Sequence, residues 1–536
     1  MDRRRFLATS AGALCGLGAT TTAEKTRIGL VHSSHRRLAR PSSVEDELDY
    51  ERVRDMVWTA IEYGRPRAGS LEAKIPRGSW VVIKPNIGFL KSQPGYCPGD
   101  VTDLRVTKAV LEYVARKSWA GRISIAEGGS YRGLRDPKTS DVVRQGSARV
   151  DASSFDWGDK EFPGVGGSLA SLLDDFGRQF PRKRFDYIDL NYDCMRDASG
   201  RLLRTEVSRT SKDAGAFGAR PDYFVTNTIR HCDFLITVPV MKVHDGCGIT
   251  ACLKNYVGTA PREAYAGPQG FFNYFLHQEQ TVEERFDGMI VDLASFHPPD
   301  YCVVDGIRGL QYTEHNADRP DQMVRNNLVL AGEDPVAADA LIARLMGFNE
   351  WDIEHLHMAA RREMGTMNFG SVDVAGDEAD RLRGLWAKPR GWHGRCNREW
   401  LLSRDATEPL ARWTRYTAPT DTLHLAKVLG GAGAAAVRVH AGGHRKAFLW
   451  VGARGRVTAF LNWEKVMEHE NRTRYRIGQF QKPVELRPGE NLLLFQAGPP
   501  AGFSPERDEA YPVQLSALLV GPRNDGDTAE GIRWVG

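Results

Sequence analysis

The chain has 536 residues, too many for one ordinary hydrophobic core, so two or more domains are expected. With 41% hydrophobic and 26% charged residues, its composition is that of a folded globular protein, which excludes a disordered chain. The net charge is only +4, and basic clusters such as His35-Arg36-Arg37 and Arg361-Arg362 are short and lack interleaved aromatics, so no nucleic acid is expected as a partner.

Asp2 to Leu7 read D-R-R-R-F-L and lead into an apolar, small-residue segment from Ala8 to Ala19, the pattern of a twin-arginine export signal. That segment is short and glycine-rich for a membrane span, and Thr21-Thr22-Ala23 offers small residues for cleavage before Glu24. The expectation is a signal over residues 1–23, recognition by the twin-arginine export machinery, and a periplasmic or secreted protein with no stable membrane span after cleavage. A frayed basic terminus is the alternative.

From Arg27 to about Gly370, strand-like apolar runs alternate with helical patterns, which predicts an α/β domain over residues 24–385 with a mixed or parallel sheet and covering helices. Trp80 to Ile83 runs into Lys84-Pro85-Asn86, and Ile123 to Ala126 runs into Glu127-Gly128. Phe234 to Val238 leads to Lys242 and His244, while Tyr301 to Val304 runs into Asp305-Gly306. Each strand stops at an ionisable residue near a turn, and parallel strands would bring these residues to one edge of the sheet. Asp334-Pro335 reads as an N-cap with proline at the first helical position, opening a helix from Val336 to Met346.

Phe234 to Gly258 concentrates the most chemistry. After Pro239 ends the strand, Ile249, Cys252, Leu253 and Tyr256 fall at i, i+3, i+4 and i+7, which predicts a helix from about Gly248. Thr250 and Lys254 would then share a second face, with Lys254 leaning back toward His244. Asp245, Gly246 and Gly248 would turn the backbone and leave N–H groups at the helix start as an anion seat. His244 reads either as a satisfied turn histidine or as an acid/base or ligand. Lys254 either snorkels or works. Asp305 and Glu127 have plain alternatives as a turn former and a solvated carboxylate.

Removal of the signal would leave seven cysteines, irregularly spaced, with neither a zinc knuckle nor an iron–sulfur cluster motif. His244 and Cys247 form a candidate metal pair, with simple burial of the cysteine as the alternative. His355 and His357 are too isolated to make one. Trp386 to Pro409 lacks any sustained period and reads as a connector over 386–409. Beyond it the helical patterns vanish, and alternating segments such as Ala435-Val437-Val439, Ala447-Leu449-Val451 and Val457-Ala459-Leu461, separated by glycine-rich turns, predict an all-β sandwich domain over 410–536. Trp450 and Trp463 are expected in its core, with a role as sugar platforms as the alternative.

VVIKPNIG at Val81 to Gly88, VPVMKVHDGCGITACLKNYVG at Val238 to Gly258, VDLASF at Val291 to Phe296, VVDGIRGL at Val303 to Leu310 and LAGEDPVAADALIARLMGF at Leu330 to Phe348 resemble the family known as domain of unknown function 362. Many of its members carry an added ferredoxin segment that this chain lacks. The ten-residue separation of His244 and Lys254, with Gly248, Thr250 and Gly258 around it, also resembles lactate racemase and its relatives. That resemblance implies His244 as a proton-transfer group, Lys254 as the tether of a nickel-pincer nucleotide and His277 as a nickel ligand. Ala251-Cys252 departs from the paired glycines of that pattern. The segments around Phe448 to Val451, Ala459 to Val466 and Val484 to Leu494 are similar to galactose-binding-like sandwiches of exported bacterial hydrolases.

Together these imply a catalytic set of His244, Lys254, Lys242 and Glu127, with Lys84, Asn86, Gly248, Thr250, Asn255 and Asp305 shaping a pocket for a cofactor or a small anionic or carbohydrate-derived ligand. The function would be isomerase- or racemase-like chemistry on a hydroxy acid or sugar acid, with a bound metal or nucleotide-type cofactor. A non-catalytic metal, cofactor or glycan binding protein on the same scaffold is the alternative. No G-x-S-x-G elbow, H-E-x-x-H helix or paired-carboxylate motif supports a hydrolase.

Overall fold

The computed structural model describes residues 25–88, 98–128, 162–207, 220–265, 285–314, 319, 321–473, 475–502 and 513–535, together with the short strands at 134–135 and 142–143. The proposed signal, Cys97 and His277 lie outside the described residues. Among those residues no helix is long and apolar enough to cross a membrane.

The first domain is built on an eight-stranded sheet in the order Val372–Gly376, Thr26–His32, Met323–Gly332, Tyr301–Leu310, Phe234–Val238, Trp80–Pro85, Arg122–Glu127 and Arg184–Asp189. Only Met323–Gly332 runs against its neighbours; all other pairings are parallel. Strands of this kind must be covered on both faces, and alternate residues point to opposite sides. Val81 and Ile83 accordingly join the core beneath helices Tyr50–Tyr63 and Leu104–Lys117, whereas Val82 and Leu235 join the core formed with Arg285–Ser295, Pro335–Leu345 and Glu354–Arg361. Short polar side chains start the helices: Asp49 accepts from Arg52 N, and Asp334 accepts from Ala337 N with Pro335 beginning the helix, as its sequence indicates.

The corner after Phe234–Val238 differs from the expected helix. Lys242–His244 and Gly248–Thr250 form a two-stranded antiparallel hairpin, with Lys242 opposite Thr250 and His244 opposite Gly248. A 3-10 helix follows only at Lys254–Thr259. Every residue from Gly248 to Val257 is buried, so the apolar spacing marks burial on all sides and not one face of a helix. Gly248 has φ +82°, and a Cβ there would lie 2.8 Å from Ile353 and Trp392. Glycine thus serves both the backbone and the close packing of Trp392 on the corner.

Asp305 does not end its strand, which continues to Leu310 past an irregularity between Gly306 and Arg308. Glu399–Ser403, inside the stretch read as connector, pairs with Thr414–Thr417 and Gly433–Ala441 of the second domain. That domain is a curled antiparallel sheet whose two halves share one long strand, Arg445–Leu461. Its first half pairs with Gln514–Val520 and its second with Gly489–Gly498, which closes the halves face to face as a sandwich. The two segments expected at Ala447 and Val457 are therefore one strand, bent at Gly455, where φ is +101°. Trp463 is also not in the core. With Asn462 it forms a tight turn at positive φ and is 66% exposed, while Trp450 is partly buried and donates to Asn524 Oδ1 at 2.6 Å.

Candidate functional site

The carboxyl edge of the first sheet carries two adjoining polar clusters. In one, Lys84 and Glu127 sit at the ends of neighbouring strands, and Asn255 reaches them from the 3-10 turn. Lys84 Nζ lies 3.1 Å from both Glu127 oxygens and 3.0 Å from Asn255 Oδ1, all nearly excluded from solvent. Asn255 Nδ2 donates to Lys84 O at 3.0 Å and to Thr237 Oγ1 at 2.8 Å, so one carboxamide ties two strands to the turn. Glu127 also accepts from Ile87 N at 2.9 Å and Gly128 N at 2.7 Å. A Cβ at Gly258 would stand 2.5 Å from Glu127 Oε1, which requires glycine there.

The second cluster is organised by Glu314, a residue that sequence reasoning missed. Glu314 Oε1 lies 2.8 Å from His244 Nε2 and 3.8 Å from Lys254 Nζ, and Oε2 lies 2.9 Å from Lys242 Nζ. Thr250 Oγ1 makes a long 3.5 Å contact with the same carboxylate. Lys242 Nζ also donates to Asp100 Oδ1 at 2.6 Å and Asp100 O at 2.8 Å. Burial opposes the Lys242 charge, but Asp100 and Glu314 outweigh it and raise its pKa. Nothing in the spacing of Asp100 or Glu314 marked them, because each is brought to the hairpin from a distant turn.

The tautomer of His244 follows from its partners. Gly246 N–H donates to Nδ1 at 2.9 Å, so Nδ1 carries the lone pair and Nε2–H points at Glu314. Burial lowers the His244 pKa, Glu314 opposes that shift, and Lys254 adds to it; the net shift is downward and the ring is neutral. Cys247, the proposed metal partner of His244, donates its thiol to Ile249 O at 3.4 Å, and burial pushes its pKa well up. All six described cysteines are buried.

At the turn expected to form an anion seat, Gly246 N donates to His244 Nδ1 and Gly248 pairs with His244 in the hairpin; further on, Cys252 N and Leu253 N donate to the Asp339 carboxylate at 2.8 and 2.9 Å. Burial raises that carboxyl to about 6. Asn86 is partly buried and uses its backbone, donating from N to Thr102 Oγ1 at 2.8 Å. Asp305 holds the loop before the Leu104 helix, accepting from Asp103 N at 2.7 Å and Ile307 N at 2.9 Å. His355 pairs with Asp287 at 2.8 Å, apart from His357, whose ring reaches Trp351 O.

Residues 202–344, which include the hairpin, Asp305 and Glu314, match the model of the family described as Domain of unknown function (DUF362). No curated protein matches the chain. Among solved structures, the lactate racemase apoprotein from Thermoanaerobacterium thermosaccharolyticum is similar at 12% identity and a TM-score of 0.27, covering 52% of this chain and 52% of that one. A family 35 carbohydrate binding module from an environmental isolate matches at 14% identity and a TM-score of 0.14, covering 20% of this chain and 72% of the module. A GH2 beta-galacturonidase from Eisenbergiella tayi matches at 16% identity and a TM-score of 0.17, covering 24% of this chain and 25% of the enzyme.

Two outcomes test this geometry. Lys84→Met strands the buried Glu127 charge and is expected to cost about 3–5 kcal/mol in urea unfolding. Adding Glu127→Gln should recover part of that loss, and a double variant no better than the single one contradicts the pairing. Asp305 is raised to about 7, first by burial and then by the Asp103 carboxylate. The native state therefore holds its proton more tightly than the unfolded chain, and this group's stabilisation is lost as pH rises from about 4 to about 7. Asp305→Asn should flatten the stability profile across that window; an unchanged slope excludes the shift.

Proposed function

We propose that this chain is an exported proton-transfer enzyme of isomerase or racemase type, acting on a small hydroxy acid or sugar acid at the hairpin corner. The observation that carries the reading is the buried His244–Glu314 pair, in which a neutral imidazole is fixed in one tautomer between Gly246 N–H and a carboxylate. A histidine oriented by a carboxylate is the usual apparatus of general acid/base catalysis, and a lowered pKa keeps it in the basic form at neutral pH. In the proposed step, Nδ1 exchanges its bond to Gly246 N–H for the proton of the substrate carbon, and Glu314 stabilises the imidazolium that results. Lys254 and Lys242, both against Glu314, would balance negative charge on the substrate carboxylate and the developing enolate. The arginine-rich N-terminus and the sandwich domain support an exported setting.

A nickel-pincer nucleotide on Lys254 fits these residues poorly. Lys254 is 7% exposed, its ammonium faces Glu314, and the corner beside it is packed against Trp392. The proposed step uses no such group.

A second reading, a binding protein without turnover, is favoured by one observation. Lys84, Lys242 and Lys254 each face a buried carboxylate, in Glu127, Asp100 and Glu314, so the lysines bring no excess positive charge of their own. Incubation in D₂O with a panel of 2-hydroxy acids and sugar acids separates the two readings. Catalysis predicts deuterium incorporation at the carbon next to the carboxylate, falling about 10²–10⁴-fold in His244→Ala. Binding of a panel member without any exchange would support the second reading.

A further inference from the structure

At the seam between the domains, His393, Cys396 and Asp421 place one ring nitrogen, one sulfur and one carboxylate oxygen within 4.8 Å of one another. Two of them come from the segment that joins the domains, and Asp421 from the loop before the Leu423 strand. We propose that these three side chains bind a zinc-class divalent cation through three protein ligands, with a fourth position open to the neighbouring cavity.

The chemistry of the donors and their supports argues for this. His393 Nδ1 lies 3.0 Å from Gly394 O, and since a carbonyl oxygen only accepts, Nδ1 must carry the proton. The lone pair of the neutral ring is then on Nε2, and the backbone fixes the ring as it does for metal-ligating histidines. Arg398 Nε donates to Asp421 Oδ1 at 2.8 Å, which orients the carboxylate in the same outer-sphere manner. Arg398 and Arg395 are in turn drawn to Glu354, at 3.3 and 2.7 Å, so their charge does not fall on Asp421 alone. Cys396 is 4% exposed and packs against Leu518 and Val520, which limits oxidation of the sulfur.

Around a tetrahedral zinc with bonds of about 2.0–2.3 Å, donor atoms stand about 3.5 Å apart, so donors that lie within 4.8 Å of one another close in by up to about 1 Å on binding. On binding, the Cys396 thiol loses its proton to solvent, and the thiolate and Asp421 together match the charge of the cation. His393 and Asp421 line a cavity of about 300 Å³ that is also lined by Asp245, Gly246 and Cys247, the turn beside His244. Three protein ligands, two of which line this cavity, leave the fourth position open as in catalytic zinc, whereas structural sites close with four. The cavity beside the open position is thus shared with the turn that holds His244 Nδ1, although the site does not depend on catalysis at that histidine.

Untagged full-length protein, stripped with chelator and then equilibrated with Zn²⁺ or Co²⁺, tests the assignment. The expected result is about one ion per chain by elemental analysis, a thiolate-to-cobalt charge-transfer band, and a higher melting temperature with metal. Cys396→Ser should abolish the band, and His393→Ala and Asp421→Asn should each weaken metal binding at least tenfold. Cys247→Ser should leave both unchanged. Absence of stoichiometric metal and of the cobalt band in the native chain overturns the proposal, as does loss of the band in Cys247→Ser with its retention in Cys396→Ser.

Discussion

The arrangement at the carboxyl edge of the sheet is governed by the cost of burying charge. An isolated ammonium or carboxylate removed from water is several kcal/mol out of balance, and only close pairing with further hydrogen bonds compensates it. Lys84, Lys242 and Lys254 are all buried here, so the fold must bring a carboxylate to each. Glu127 is supplied by the neighbouring strand, Asp100 by the turn before the Leu104 helix, and Glu314 by the segment after the Tyr301–Leu310 strand. These pairings fix the hairpin and the 3-10 turn against the sheet, and with them the ring of His244. The geometry proposed for proton transfer follows from this balance.

Lys84, Glu127, Asn255, Lys242, His244 and Lys254 converge because parallel strands end on one edge, and that much was legible in runs such as Val81 to Lys84 and Ile123 to Glu127. The acidic partners were not legible. Asp100, Glu314, Asp339 and Asp287 lie in turns and helices far along the chain, where a carboxylate looks the same whether it is solvated or hydrogen-bonded in the interior. Around Gly248 a helical period was present, yet burial on every side removed its meaning, and the hairpin pairing of Lys242 with Thr250 prevailed. In the second domain the alternation of Ala435, Val437 and Val439 was a faithful signal of inward-facing residues. The break at Gly452 and Gly455 was not, since glycine in a strand can mark a bend within it as well as a turn. Trp463 entered the same alternation but sits at the tip of a turn.

The seam between the domains is more than a tether. Trp392 packs on Gly248 and Phe348 and donates to Asp527 at 2.9 Å, while Asn349 and Asp352 bond to Thr528. The connector thus packs on the hairpin corner through Trp392. The turn that supplies Gly246 N–H to His244 lines the seam cavity, so docking of the sandwich and the state of the imidazole are physically adjacent.

The central claim is that His244 is a neutral base, held by Gly246 at Nδ1 and by Glu314 at Nε2. Long-range ¹H–¹⁵N NMR of histidine-labelled protein at neutral pH, with His244 assigned by its loss in His244→Ala, tests it most directly. The account predicts the Nε2–H tautomer, with a pKa below the usual histidine value that falls further in Glu314→Gln, where the carboxylate no longer favours the cation. An imidazolium at neutral pH, or an Nδ1–H tautomer unaffected by Glu314→Gln, would contradict it.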